Sequence, residues 1–455
     1  MSAPTRRPPF HLVRVFVLAT AAGLAALACP KKAGLSETQA SDERTACQFP
    51  AGALPAQTLA ADWPKGTQIP IDHIILLMQE NRSFDHYFSA LKNGADVASP
   101  TITNPDGDGG FVQRFHMTNA YCFSDTNHEW SGTHDEIDDG KMDGFVIANN
   151  PGGARAMGYY TDEDLPFYYD LANAFTISDR HFCSAPGNTS PNRLFFAAAT
   201  TRGCTDVPPC FPPLTSDAGY NLPNFPQMLD NAGVDWKFYT SSTGAGPELA
   251  SMAAMDPQEL SNDVTKYVGM SQLFADLKAG TLPSVSWVDI GCCQDPLGNN
   301  EHPSADMQVG QHFVQTVVDA LMASPEWGSS ALFITWDEHG GEYDHVPPPA
   351  ACAPDDYPPL GETLEPLPAN SFEMYGPRVG LLAVSPYAKR GYVTHVVTDH
   401  TSLLRFVEAR FNIPAMTKRD ANATPPFDMF DFSKKDTSIP TLREAVIDPP
   451  DAHGC

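Results

Sequence analysis

Positive charge is scarce in this sequence. Lys and Arg number 28 against 55 Asp and Glu, for a formal net charge of −27. A surface this acidic repels polyanions, which disfavours nucleic acid and anionic membranes as partners and makes zwitterionic lipids or soluble substrates the easier ones. Long apolar runs are also lacking. The best candidate, Val15 to Ala28, falls short of the ~20 residues that a spanning helix needs. No CxxC accompanies a His cluster, so structural zinc of the usual kind is not expected. The stretch Asn104 to Gly110 alternates Asn and Asp as a calcium loop does, but its twelfth position is Phe115 rather than Glu. A turn is expected there.

The N-terminus has the make-up of an export signal. Arg6, Arg7 and Arg14 lead into the short apolar segment, and Ala26-Leu27-Ala28 suits a signal-peptidase site, so residues 1–28 are expected to be removed on export. Cys29 follows directly and leaves open a lipid anchor on a periplasmic or extracellular protein. Residues 29–66 are polar, rich in Ala and Pro and without periodicity; they are expected to be a tether, with residues 67–455 as one large domain. Ten cysteines in an exported chain imply disulfides. Cys204 and Cys210 enclose a Pro-rich loop and are the expected pair, while the adjacent Cys292 and Cys293 should bond to different partners.

Against this background one stretch organises the chain. Ile74 to Met78 is an unbroken apolar run that fits a strand buried on both faces. Gln79, Glu80, Asn81 and Arg82 then crowd its carboxyl end, the edge of an α/β sheet where ligands bind. Further strands are expected at Ala174 to Ser178, Val234 to Tyr239, Ser284 to Ile290, Ala331 to Trp336 and Val379 to Val384. Helices should run over Met270 to Leu277 and from Asp399-His400 through Phe411, with another displaying Val309, Phe313, Val317 and Leu321 on one face. Pro191 suits a first helical turn, which puts Thr189 beside unpaired N–H groups and a positive dipole end fit for phosphate. Asp337 and Glu338 are adjacent carboxylates at a strand's end, and they repel unless a cation or a shared proton lies between or beside them. Asn221 to Leu229 has the look of an insertion, and Asp135, Glu136, Asp138 and Asp139 of solvated loop charge.

Four ordered motifs narrow the reading. Glu80-Asn81-Arg82-Ser83-Phe84-Asp85-His86, GNTSPNR from Gly187, TWDEHGGEYDHVPPP from Thr335, and SPYAKRGYV with DHTSLLRF between Ser385 and Phe406 resemble the bacterial phospholipase C and acid phosphatase family, within the alkaline-phosphatase-like superfamily. The resemblance implies a three-layer α/β/α sandwich with a mixed, largely parallel sheet and loop insertions forming a lid. It implies Thr189 as nucleophile, with Ser190 as the rival hydroxyl. It gathers Glu80, Asn81, Thr189, Asp337 and Glu338 around a divalent ion, and this all-oxygen set suits calcium, magnesium or manganese. Asn192, His302 and His128 would hold the phosphate oxygens, and one histidine would protonate the leaving group; His134 is a weaker candidate. The substrate stays open between phospholipid diesters of the phosphatidylcholine type and phosphomonoesters, because Asn188 and Ser190 depart from the Pro and Asn common in the phospholipase motif. A calcium-dependent surface binding module without turnover is the rival from another class.

Overall fold

The run from Ile74 to Met78 lies at the centre of β1 (His73–Gln79), which is buried from Ile74 onward. In the computed structural model, which describes residues 1, 34–118, 120–205, 224–240, 264–290, 298–360 and 372–448, β1 is an inner strand of an eight-stranded sheet. The other strands are β2 (Thr176–Ser178), β3 (Trp236–Thr240), β4 (Tyr267–Gly269), β5 (Val285–Asp289), β6 (Ser330–Trp336), β7 (Leu381–Val384) and β8 (Tyr392–Thr394). Their order is β8-β2-β7-β6-β1-β5-β3-β4. All neighbours are parallel except at β7, which runs antiparallel to β6 and to β2.

Alternation along the strands builds two cores from one sheet. Successive side chains point to opposite faces. Ile75, Leu77, Leu332 and Ile334 therefore pack with Leu171 and Val317 on one side, while Ile74, Leu76, Met78 and Phe333 pack with Leu194 and Leu404 on the other. The helices that matter here are α1 (Glu37–Thr45), α2 (Phe84–Phe88), α3 (Trp130–Ile137), α4 (Pro166–Ala174), α5 (Thr189–Ala198), α6 (Met307–Met322) and α7 (His400–Phe411). Helices α4 and α6 cover the first face; α5 and α7 cover the second. This is the expected three-layer α/β/α sandwich. Truncating a fully buried residue such as Leu77 to Ala would cost about 2–5 kcal/mol.

Two expectations change, on the tether and on Glu136. Residues 34–66, the described part of the expected tether, are no free linker: Ser36 caps α1 through a reciprocal box with Gln39, and Ala40, Leu59 and Ala60 are buried. Arg44 donates to the Thr58 carbonyl at 3.3 Å, and a disulfide joins Cys47 to Cys352. Within the expected insertion Asn221 to Leu229, the described residues from Asn224 cap and begin a helix, Phe225–Ala232, that buries Phe225 and Leu229. Glu136 is fully buried rather than solvated, accepting hydrogen bonds from Asn149 Nδ2 at 2.8 Å and His339 Nε2 at 2.7 Å. Asn104 to Gly110 is a hairpin turn in which Asp106 Oδ1 accepts from the Asp108 and Gly110 amides at 2.9 and 2.8 Å. Cys29, Cys210, Cys292, Cys293 and much of the expected lid lie outside the described residues.

Candidate active site

Three parallel strands end side by side, and each ends in acid. Gln79 of β1 pairs with Trp336 of β6, and Met78 pairs with Asp289 of β5. Glu80-Asn81, Asp337-Glu338 and Asp289 are thereby brought to one edge, with the first four residues fully buried. Asn81 adopts φ +55°, and its amide donates to Asp337 Oδ1 at 3.0 Å. That twist turns the chain across the strand end instead of away from it. Gly340 makes room for it: a Cβ at Gly340 would stand 2.4 Å from the Asn81 carbonyl oxygen, at a φ of +68°.

Helix α5 points its first turn at this edge. Asn188 is its N-cap, and Thr189 Oγ1 donates to Glu80 Oε2 at 3.2 Å. Arg193, one turn further on and so on the same helix face, reaches back to Glu80 at 2.6 Å, Asp289 at 2.5 Å and Asp337 at 3.3 Å. Burial works against a charged Asp337, yet Arg193 and the backbone amides of Asn81 and Glu338 hold it below the ordinary carboxylate range. The sequence motif contains Arg193, but its role as a buried counter-cation was not foreseen. The available signal was its spacing of four from Thr189.

Asn192 has a different place from the one expected. Its Oδ1 accepts from the Ala185 amide at 2.9 Å, and its Nδ2 contacts the carbonyls of Ala185, Gly187 and Asn188 at 3.0–3.2 Å. Fully buried, it fastens the loop that presents Thr189 and points no donor at a phosphate. Ser190 is buried, whereas Thr189 is partly exposed at the helix mouth.

The histidines face this edge from two loops. His128 donates through Nδ1 to the Thr126 carbonyl at 2.7 Å, which leaves Nε2 to meet Asn81 Nδ2 at 3.3 Å and Glu338 Oε1 at 4.0 Å. The His302 ring lies 5.9 Å from it, centre to centre, with Nε2 3.8 Å from Asp125 Oδ2. His134 instead donates to the carbonyl of Trp130 within α3, at 2.6 Å. Behind Glu338, His339 pairs with the buried Glu136; burial opposes its charge, but Glu136 raises it to about 9.

Among the described residues, Glu80, Asp337, Glu338 and Asp289 carry more negative charge than Arg193, the one arginine or lysine paired with them there, offsets. Two oxygens here, Asn81 Oδ1 and Glu338 Oε1, are buried with no hydrogen-bond partner among the described residues. Buried acceptors are almost always satisfied. Uncapped oxygen donors beside excess carboxylate are what a hard divalent cation requires, so the residues present fit one. Two further groups of ligating side chains lie close enough to share an ion: Asp125, His128 and His302, and Asp85, Asp344 and His345.

The model of the family described as "Phosphoesterase family" matches residues 71–414, spanning every residue of the strand-edge cluster. The chain belongs to this family. Among curated phosphoesterases it is 32% identical over 467 residues to a non-hemolytic phospholipase C of Burkholderia pseudomallei, covering 89% of this chain and 65% of the relative. To a non-hemolytic phospholipase C of Pseudomonas aeruginosa it is 32% identical, covering 80% and 57%. Phospholipase C A of Mycobacterium tuberculosis is 33% identical, covering 76% and 73%. The chain thus spans less than two thirds of the length of the first two relatives. A solved structure of a protein in the alkaline phosphatase superfamily from Vibrio parahaemolyticus aligns at a TM-score of 0.40 and 9% identity, covering 86% of this chain and 78% of that chain.

Proposed function

We propose that this phosphoesterase is an exported, metal-dependent phospholipase C that cleaves phosphatidylcholine-like diesters into diacylglycerol and a phosphorylated head group. The observation that carries the reading is the placement of Thr189. Its hydroxyl stands at the N-terminus of α5, bonded to Glu80, where amide N–H groups and Arg193 favour an incoming phosphate.

A threonine hydroxyl is a weak nucleophile at neutral pH. Glu80, Asn81, Asp337 and Glu338, with Thr189 itself, would hold a calcium, magnesium or manganese ion, which when bound supplies Lewis-acid charge for the Thr189 oxygen and the phosphoryl group. Glu80 orients the hydroxyl and accepts its hydrogen. Attack by Oγ1 on phosphorus breaks the bond to the glycerol oxygen and leaves a phosphothreonine; a proton then goes to the departing alkoxide. We assign that transfer to His302, whose Nε2 lies 3.8 Å from Asp125 Oδ2, rather than to His128, whose Nε2 lies 3.3 Å from Asn81 Nδ2. Water hydrolyses the phosphothreonine in the second step and frees the phosphorylated head group.

Export agrees with the Cys47–Cys352 disulfide, a bond favoured in oxidising compartments. No helix of the described residues is long and apolar enough to cross a membrane. The deciding experiment compares phosphatidylcholine, phosphatidylglycerol and an aryl phosphate monoester as substrates, with Thr189→Val as control. Phosphatidylcholine should have the highest kcat/KM. A tenfold preference for the monoester, about 1.4 kcal/mol in the transition state, would make the enzyme an acid phosphatase instead. Metal binding that persists with no turnover on any substrate would support the binding module.

A further inference from the structure

The lobe that carries His128 also exposes apolar side chains at its outer tip. Phe111 opens the second strand of the hairpin Thr103–Pro105/Phe111–Gln113 and is 69% exposed, while Ile147 on the short helix Phe145–Ala148 is 49% exposed. The two elements pack together: a Cβ on Gly107, in the hairpin turn, would lie 3.7 Å from Ile147 Cγ1. Asn150 Nδ2 also donates to the Asp106 carbonyl at 3.3 Å. The tip is rigidly based, because Val112 and Ile102 pack against the buried cluster of Phe145, Val146 and Met157. Large apolar side chains left this wet on a firmly based lobe are the material of a contact surface.

The tip is joined directly to the candidate active site. Asn149, two residues past Ile147, accepts from the Asn127 amide at 2.5 Å, and Asn127 Nδ2 donates to the Ala148 carbonyl at 3.4 Å. His128 follows Asn127. Charge narrows what the tip can meet. Between residues 104 and 147 the exposed or half-exposed acids include Asp106, Asp108, Asp125, Glu129, Asp135 and Asp139, against Lys141 as the exposed base; Arg114 is buried. An anionic surface is repelled by such a rim. A surface whose outermost charge is a quaternary ammonium is not.

We infer that Phe111 and Ile147 form a docking tip that inserts into a zwitterionic phospholipid surface and sets the His128 loop against the lipid–water boundary. This rests on the phospholipase reading for its purpose but not for its measurement. The first test is binding by the Phe111→Trp variant of the full chain, followed by tryptophan fluorescence difference on adding phosphatidylcholine vesicles. A blue shift with phosphatidylcholine, and none with phosphatidylglycerol vesicles, is expected; no shift, or an equal shift with both, overturns the proposal. The second test uses the Phe111→Ala/Ile147→Ala double variant. Its rate on phosphatidylcholine vesicles should fall about tenfold, with an unchanged rate on a dispersed short-chain phosphatidylcholine and an unchanged Tm. Equal losses on both substrates would overturn the tip and assign the two side chains to the fold. If neither protein hydrolyses any diester while the fluorescence shift persists, the docking tip stands and the phospholipase reading falls.

Discussion

Two acidic clusters are built on the same two chain segments, residues 80–86 and 337–345, and they are finished differently. In the inner cluster Glu80, Asp337 and Asp289 share Arg193 while Glu338 forms no ion pair with it, and Asn81 Oδ1 and Glu338 Oε1 remain without hydrogen-bond partners among the described residues. In the outer cluster Asp85 and Asp344 meet both Arg378 and His345. Arg378 Nε donates to Asp344 at 2.9 Å, His345 Nδ1 contacts Asp85 at 2.6 Å, and the amides of Ala98 and His345 each donate to Asp85 at 2.8 Å. Burial works against a charged Asp85, yet Arg378 and His345 hold it far below the ordinary carboxylate range. The outer cluster is a brace, its charges matched and its acceptors filled. The inner one has spare acceptors and surplus charge, which costs stability unless a ligand completes it. Three-residue clusters of ligating type are therefore not equal: Asp85, Asp344 and His345 lie within bonding range of one ion but already hold their cation, Arg378.

The sharpest way to separate the clusters is to remove the group with a proposed chemical task. Thr189→Val should lower turnover by at least about 10³-fold with Tm nearly unchanged, Thr189→Ser should keep measurable activity, and mass spectrometry of acid-quenched enzyme should find phosphate on the Thr189 peptide. A dead Ser190→Ala enzyme beside an active Thr189→Val one would transfer the role to Ser190.

The brace should respond in the opposite sense. Arg378 is fully buried among Asp85, Asp344 and two backbone carbonyls, so Arg378→Met should cost about 3–5 kcal/mol of stability, read by urea denaturation, while turnover per folded molecule is preserved. Lost turnover with full stability would show that the outer cluster is also a working site.

Glu338→Gln tests the inner cluster's surplus charge. It removes a proposed ion ligand and one buried negative charge, so kcat should fall about 10²-fold, near 2.7 kcal/mol, without any loss of Tm in chelator. Thorough chelation of the unmodified enzyme should cause a comparable loss, restored by calcium, magnesium or manganese. A Glu338→Gln enzyme destabilised as strongly as Arg378→Met would erase the contrast between the clusters.

The smallest effect expected is a pH dependence. Burial lowers the affinity of His345 for a proton, but Asp85 and Asp344 outweigh it and raise its pKa above the ordinary histidine value. A raised folded-state value stabilises the fold fully below the unfolded pKa, ~6.5, and the contribution is lost as pH rises through the folded value. His345→Gln should therefore cost roughly 1–2 kcal/mol below pH ~6.5 and progressively less above it. A difference in Tm that grows with rising pH would reverse the assigned charge state.

Much of this was legible along the chain because it depends on near neighbours. Ile74 to Met78 is apolar on both alternations, which only a doubly covered strand allows, and Pro191 marks the helix start that presents Thr189. Polar composition misled where short apolar spacing was the real signal. Residues 37–60 look solvated yet bury Ala40, Leu59 and Ala60, and Glu136 reads as loop charge until His339, 203 positions away, is brought to it. Asn192 belongs to a recognisable motif, but four bonds to its own loop make it a fastener for Thr189 rather than a phosphate contact.

By itself the sequence determined the sheet's central strands, the covering helices α5, α6 and α7 and the polar residues that follow β1 and β6, since hydrophobic period and helix-start chemistry act over a few residues. Only the tertiary structure decided which cation serves which carboxylate. Arg193 meets acids at the ends of three strands and Arg378 meets Asp85 of α2 and Asp344 of the loop after β6, and such pairings depend on distances across the fold that no local pattern encodes. Charge compensation is a property of positions in space, so the difference between a brace and a candidate catalytic centre exists only once the chain is folded.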